Sequence, residues 1–588
     1  RQAAEKLGEP LDMEWAIDRN GQLFWLQARP ITTIGSDLNA LDTPVPDDHV
    51  LTRCNVGEIF PGASPPLTWS VVGRAIDASM QEMSAAFCGD RNPQIKAFDQ
   101  FRYVAGHLFI DMTAGLAAAR YTLLAKAENM AQSICGRSIP ELAEPADKKL
   151  FLRRLWGIKD FLLYIFAARR ITAGFAQQLK GFYIAYRHDS VAMFDELDSK
   201  RHWMVDASCV HLRSSAMSGT MEGVIQGIVS EGARSPSLEQ QALAARLFAG
   251  ASQVESAVLV EQLDQVVDLI AGHPQGKAAF HDVDPQAALG WLRSEASGAA
   301  GIAFADFLQQ HGHRSYRELC LMTPAWADAP EALVESMQAS LMARFSQAGG
   351  GHKASQAADL ADQPWLIRWL LPRAHAAIRG REYTKSMMVR VAWLLKRGYR
   401  HLGCLLAEQG HLADAQLVFF FTHEELGDFV RQPTAIMAQT VINRRRAYDF
   451  QQRLAFADIS QGKPQPLEAV QQQLADGQLA GRAVSRGVVE GIARVARTVA
   501  EAAALQPGEI LIAPVTDVGW TPYFSLIAGL ATDVGSAVSH GAVIAREYGL
   551  PCVVNLQSAT GMFCTGDRVR LDADNGVLSL LQRIDDQA

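Results

Sequence analysis

A chain of 588 residues is too long for one compact core, so three or four domains are expected. Its 48% hydrophobic and 20% charged residues are ordinary for a soluble globular protein, and a net charge of −8 gives no support for a broad nucleic-acid footprint. Apolar stretches such as Phe161–Ala168 are far shorter than a bilayer-spanning helix and read as helices buried in protein. The eight cysteines (Cys54, Cys88, Cys135, Cys209, Cys320, Cys404, Cys552 and Cys564) lack zinc-site spacing, which points to reduced structural thiols and a cytoplasmic location. No signal peptide is expected, and Arg1 opens straight into helix-like Gln2–Leu7, so the chain is expected to start inside a larger protein.

In chain order, residues 9–33 read as a hairpin, with Leu11–Asp18 and Leu23–Pro30 flanking Asn20-Gly21. Alternation places Glu14, Ala16 and Asp18 on one face of the first strand, and Gln27 and Arg29 on one face of the second. A carboxylate, an amide and a guanidinium so placed suit a metal–nucleotide complex, because hard oxygen donors hold Mg²⁺ and arginine forks onto phosphate. The wet face of an ordinary antiparallel hairpin would carry the same residue types. Turn-rich residues 34–50 read as a linker, and Thr68 is placed as the N-cap of the helix that follows.

Residues 51–455 repeat apolar positions at three and four and are sparse in Gly and Pro, which predicts a large, mainly α-helical acceptor-substrate domain. Long amphipathic segments cover 151–182 and 237–269. Trp365, Trp369, Met387, Met388, Trp393 and Phe419–Phe421 fit a lipophilic pocket, although at helical spacing such residues are usually core. Arg381 and Lys385 stand at i, i+4, where like charges repel mildly. An anion such as a phosphoryl group in transfer would explain the pair, and so would neighbouring acids.

Residues 456–478, with Lys463-Pro-Gln-Pro466, read as a second linker, and glycine-punctuated strands then open a β/α domain over 479–588. Within it, strand Gly529–Asp533 runs into a small-residue turn bearing Ser539 and His540, then into a helix over Ala542–Glu547. Such a junction aims free backbone N–H groups at an anion, and a histidine there suits a phosphoryl group carried on the imidazole. The competing reading is a capping Ser539 followed by a surface histidine of no consequence.

A resemblance favours the first of these readings. Gly535-Ser-Ala-Val-Ser-His540-Gly-Ala-Val-Ile-Ala-Arg546-Glu-Tyr-Gly-Leu-Pro551, with Thr516-Asp-Val-Gly-Trp-Thr-Pro-Tyr-Phe524 upstream, resembles the phosphohistidine signature of the phosphoenolpyruvate-utilising mobile domain. Glu14-Trp-Ala and Gln27-Ala-Arg29-Pro-Ile-Thr resemble the closing strands of that family's ATP-grasp domain, and Arg381-Glu-x-x-Lys385 and Gly312-His313-Arg314 resemble its rifampicin-phosphotransferase-like central domain. The implied architecture is multidomain α+β: a C-terminal remnant of an ATP-grasp domain (1–33), the helical domain, and a C-terminal swivelling domain.

The implied reaction moves the β-phosphoryl of ATP to His540, with release of AMP and phosphate, and then to a hydroxyl of a lipophilic, rifamycin-type acceptor. On the same resemblance Glu14 and Gln27 would coordinate Mg²⁺–ATP, and Arg29 would contact phosphates. Arg381 and Lys385 would stabilise the phosphoryl group in transfer, while Ser539, Thr532 and Arg546 are secondary candidates for phosphate contacts. His313 and Arg314 would orient the acceptor or only join helices. The rest of an ATP-grasp domain is expected to be supplied in cis or in trans, since this chain alone should not bind ATP competently. It ends 48 residues past His540, so barrel chemistry on phosphoenolpyruvate is not expected of it. A prodigiosin-type ligase that joins two small molecules, and a non-catalytic partner subunit, are the other readings.

Overall fold

The computed structural model describes residues 11–17, 23–30, 38–90, 100–123, 126–135, 138–230, 255–280, 283–345, 363–467, 477–535 and 539–583, with isolated positions between 240 and 248. Strands β1 (Leu11–Ile17) and β2 (Leu23–Pro30) form the expected hairpin, whose turn lies outside the described residues, as does segment 2–7. Their register sets Glu14 opposite Gln27 and Asp12 opposite Arg29, and a bulge between Glu14 and Trp15 interrupts simple alternation.

The next body is helical, with a small antiparallel sheet at one edge. Strands β3 (Val50–Thr52), β4 (Phe101–Val104), β5 (His107–Asp111) and β6 (Ile459–Gln461) pair in the order β4-β5-β3-β6. β6 falls inside the stretch expected to be the second linker. It pairs there with β3, some four hundred residues earlier, a partner that local composition does not reveal.

Helices α1 (Arg74–Cys88), α2 (Phe151–Phe166), α3 (Ala168–Leu179) and α4 (His202–Val229) follow. Thr68 does not cap α1. It sits buried in a helical turn, Pro66–Thr68, which continues through Trp69–Gly73 into α1, and its Oγ accepts the Leu321 N–H at 3.0 Å. Prolines 65 and 66 start that turn without needing a donor, which made the Thr68 cap unnecessary.

Helices α5 (Glu255–Gly272), α6 (Ala299–His311) and α7 (Glu331–Phe345) form a second layer. α8 (Trp365–Glu408) runs for 44 residues, with Pro372 accommodated inside it, and α9 (Ala435–Gln451) closes the body. Ile367, Leu371, Ala374, Ile378 and, later, Val391, Leu395, Leu402 and Leu406 recur at helical spacing and are buried. Met387, Met388 and Phe419–Phe421 are core, whereas Trp365 and Trp369 are exposed. The stretch Phe161–Ala168 is not wholly buried, since Leu163 and Phe166 point to solvent.

The C-terminal unit is one mixed sheet in the order β7-β14-β13-β9-β10-β11-β12-β8. The strands are β7 (Gln478–Ala480), β8 (Arg482–Ser485), β9 (Val488–Val495), β10 (Ile510–Ala513), β11 (Gly529–Thr532), β12 (Cys552–Val554), β13 (Arg568–Asp572) and β14 (Val577–Gln582). β9 through β12 are parallel neighbours. Ile510 and Ile512 enter the core on one face of the sheet, and Leu511 and Ala513 that on the other, the two-residue period of a strand covered on both sides. Helix α10 (His540–Tyr548) is the crossover between β11 and β12. The unit packs on the second helical layer: Val518 belongs to that layer's apolar cluster, while Val260 joins the core of the sheet unit.

Candidate active site

α10 starts where its sequence says it should. Ser539 is in extended conformation and its side chain accepts the Ala542 N–H, while Gly549 ends the helix in the left-handed conformation at φ 64°. Ser539 is therefore a true cap, and His540 is the first helical residue, beyond the carboxyl end of β11. In open α/β sheets this end of the parallel strands is where ligands sit.

His540 is half-buried, and its Nε2 lies 2.8 Å from Thr521 Oγ1. Thr521 is held by a short 3₁₀ turn, Val518–Tyr523, whose cap is Asp517: Oδ1 accepts the Gly519 N–H at 2.9 Å. Burial, and then the positive charges of Lys385 and Arg314, press the His540 pKa down to about 3, against the opposing pull of Glu382 and Glu318. The ring is thus neutral at pH 7 and keeps a nitrogen lone pair for attack.

The charges facing it come from the helical body. Arg314 Nε donates to Glu318 at 2.7 Å, and Lys385 Nζ reaches the same carboxylate at 3.2 Å. Arg381 pairs with Glu382 at 3.3 Å and with Glu222 at 3.5 Å. Burial alone would raise the Glu318 pKa, but Arg314 and Lys385 outweigh it and hold the carboxyl at about 2. Beneath it, the fully buried Lys396 donates to the carbonyls of Glu318 (3.1 Å) and Thr323 (2.9 Å), and burial lowers its pKa to about 8. The i, i+4 cations are therefore neither solvated nor idle. They are mostly buried and partnered by acids, one of which comes from a helix 159 residues away.

His313 is buried and its Nε2 lies 2.9 Å from Ser386 Oγ, so it ties the segment after α6 to α8 beside Lys385. Thr532, at the end of β11, is buried, and its Oγ1 has no hydrogen-bond partner among the described protein atoms. A buried hydroxyl left in that state is available to a phosphate oxygen. Arg546 sits six residues along α10, a rise of about 9 Å, and feels the charges of Glu222, Arg381 and Glu547.

The docking of the sheet unit on the helical body is tight at one point. Asp517 Oδ2 accepts the Arg317 N–H at 2.8 Å, and a Cβ on Gly519 would stand 2.7–2.9 Å from Tyr316 Cβ, Cα and N. Ser340 Oγ adds a bond to the Pro522 carbonyl at 3.2 Å. Sequence reasoning gave no role to Glu318, Glu382, Glu222, Thr521 or Lys396. Glu318, at i+4 from Arg314, and Glu382, inside the Arg381-Glu-x-x-Lys385 motif, left local signals.

Glu14 and Gln27 are known here by backbone register alone, which sets them opposite each other. Such a pair offers carboxylate and amide oxygens of the kind Mg²⁺ takes. Among the described residues no group of three or more His, Cys, Asp or Glu is arranged to hold a metal ion.

Two family models match the chain: the rifampicin phosphotransferase fourth domain over residues 211–382, and the PEP-utilising enzyme mobile domain over residues 505–576. These two domains, with relatives named rifampicin phosphotransferase and PigC, support a PEP-utilising, rifampicin phosphotransferase-like family. The relatives include the rifampicin phosphotransferase of Streptomyces sviceus, 32% identical over 337 residues, covering 54% of this chain and 38% of that protein. That of Bacillus subtilis is 33% identical over 298 residues, 47% of this chain and 34% of the relative. The prodigiosin synthesizing transferase PigC of Serratia marcescens is 25% identical over 628 residues, 99% of this chain and 69% of that protein. The chain thus spans well under half the length of the rifampicin phosphotransferases it matches. A solved chain of Thermococcus kodakaraensis aconitase X aligns to 18% of this chain at 22% identity, with a TM-score of 0.14 that bears no argument.

Proposed function

We propose that this chain carries the acceptor-binding and phosphohistidine parts of an ATP-dependent phosphotransferase. In the first half-reaction a neutral His540 ring nitrogen forms an N–P bond to the β-phosphoryl of ATP as the α–β bridge breaks, and the γ-phosphoryl passes to water. AMP and phosphate leave. Glu14 and Gln27 would hold Mg²⁺, which supplies charge neutralisation at the phosphates, and Arg29 would contact them. In the second half-reaction an acceptor hydroxyl forms the O–P bond as the N–P bond breaks. Arg381, Lys385 and Arg314 stabilise the equatorial oxygens of a loose transition state, which asks little of a general base. Lys385 exchanges Glu318 for the phosphoryl group. Thr532, Ser539 and Arg546 support the phosphate, and His313 keeps α8 in place.

One observation carries this reading: a neutral, half-buried histidine on a mobile-domain fold faces a cluster of buried cations already balanced by acids. The acceptor is a lipophilic hydroxylated molecule of rifamycin type, which would make the enzyme an antibiotic-resistance factor. The test is intact mass after incubation with phosphoramidate, or with Mg²⁺–ATP and an ATP-grasp domain. An acid-labile phosphoryl adduct is expected on the parent chain and none on His540→Ala. An adduct that persists in the variant sinks the proposal.

A second reading, to which the 25% identical match to PigC lends only weak support, is a ligase that uses phosphoryl activation to join two small molecules. Acceptors assayed singly and in pairs separate the two. A phosphorylated product from one acceptor supports the transferase, and a joined product that requires two supports the ligase.

A further inference from the structure

α2 is built inside out relative to an ordinary surface helix. Its inner face is anchored by polar groups: Arg153 bonds to the Cys88 carbonyl and pairs with Asp160 at 3.3 Å, and Arg154 Nη2 donates to the Thr122 carbonyl at 3.2 Å. Gly157 lets the helix lie directly on the neighbouring backbone, since a Cβ there would stand 2.1 Å from the Tyr121 carbonyl oxygen. The outer stripe, at helical spacing, is Leu152, Trp156, Leu163 and Phe166, which are 70%, 56%, 63% and 60% exposed. With Phe151, Leu155 and Leu162, seven large apolar side chains on this one helix are exposed, a costly arrangement unless something apolar meets them.

Charge identifies the partner. Residues 148–170 hold seven Lys or Arg and a single acid, in a chain whose net charge is −8; Arg153 and Arg154 anchor the inner face, and the other five are exposed. Lys148 pairs with Glu144, Lys159 reaches Asp160 at 3.7 Å while lying over the Trp156 ring at 4.0 Å, and Arg169 and Arg170 stand exposed where α3 begins. At 100° per residue Lys159 falls on the same stripe as Leu152, Trp156 and Phe166. Leu, Trp and Phe interleaved with long cations are the pattern of a helix lying in a headgroup layer, where the cations reach up to phosphates. A symmetric second copy would set the same cations against each other, which anionic lipid avoids. Among the described residues no helix is long and apolar enough to cross a membrane, and sixteen residues span only about 24 Å.

We propose that α2 is a membrane-docking helix that lays its apolar stripe into the surface of an anionic bilayer. The inference is independent of the phosphotransfer reading. It places the helical domain at a surface where lipophilic small molecules concentrate.

The test is co-sedimentation of the chain with phosphatidylglycerol–phosphatidylcholine vesicles and with phosphatidylcholine vesicles alone. Binding is expected with the anionic vesicles, together with a blue shift of tryptophan emission. The double substitution Trp156→Asp with Leu163→Asp should weaken it by more than about tenfold. Arg169→Glu with Arg170→Glu should remove the preference for anionic lipid. Both variants change exposed side chains and should keep the parent's circular dichroism. Absence of vesicle binding, or binding that the substitutions leave intact, overturns the proposal. So does self-association that the same substitutions abolish without vesicle binding.

Discussion

α8 gathers Arg381, Glu382 and Lys385 inward against Glu222 and Glu318, while α2 turns Leu152, Trp156 and Leu163 outward and holds on through Arg153, Arg154 and Gly157. Both helices read as amphipathic, and both are fixed by the charges they bury. In α8 the buried charges sit beside His540 and cancel one another. In α2 they act as anchors and free the apolar side for use elsewhere. Hydrophobic periodicity locates a stripe along a helix, but the neighbours decide whether that stripe meets the core.

Four substitutions would break or sharpen this contrast. The largest effect is expected at Glu318, which neutralises two buried cations. Glu318→Ala should destabilise the chain by about 3–5 kcal/mol, read as a shifted denaturation midpoint, because it removes the carboxylate that the buried Arg314 and Lys385 share. Unchanged stability would show that the cluster is wetter than its geometry indicates. On α2 the equivalent stress is Gly157→Ala, which must lift the helix from Tyr121 and should cost about 1–3 kcal/mol in urea unfolding.

A smaller effect concerns the contact that seats the sheet unit. Burial raises the Asp517 pKa from 3.8 to about 7, against the opposing N–H bonds from Arg317 and Gly519. A raised carboxyl binds a proton in the folded state that the unfolded chain releases. Its contribution to stability is therefore full below about 4 and fades as pH rises through 7. Asp517→Asn cannot titrate, so the parent's melting temperature should fall relative to the variant's as pH rises from about 4 to 7. Parallel curves would remove Asp517 from the pH response. The smallest effect is expected from Trp156→Asp, which should change stability by less than about 1 kcal/mol, because the ring is more than half exposed. A loss as large as that of Gly157→Ala would mean that the outer face of α2 is packed after all.

What the sequence disclosed was local. Asn20-Gly21 between two apolar runs marked the strands of the hairpin, and Ser539 and Gly549 marked the two ends of α10. The i, i+4 cations were visible because both lie on one helix. What it hid depended on distance along the chain. Glu222 lies 159 residues before Arg381, and no pattern at either position announces the other. β6 looked like linker because its three residues owe their conformation to β3. Thr521 stood in plain sight within a quoted segment, yet a lone threonine carries no chemical signature until His540 is placed 2.8 Å from it.

The length of α8 has a further consequence. Arg381 and Lys385 sit midway along a 44-residue rod whose last third, through Leu402 and Leu406, is locked in the main core. Their positions are thus inherited from the least negotiable part of the domain, while the walls around them come from separate, shorter elements. Such a scaffold can change the shape of the space beside the cations by redrawing those walls and leaving the cations where they are.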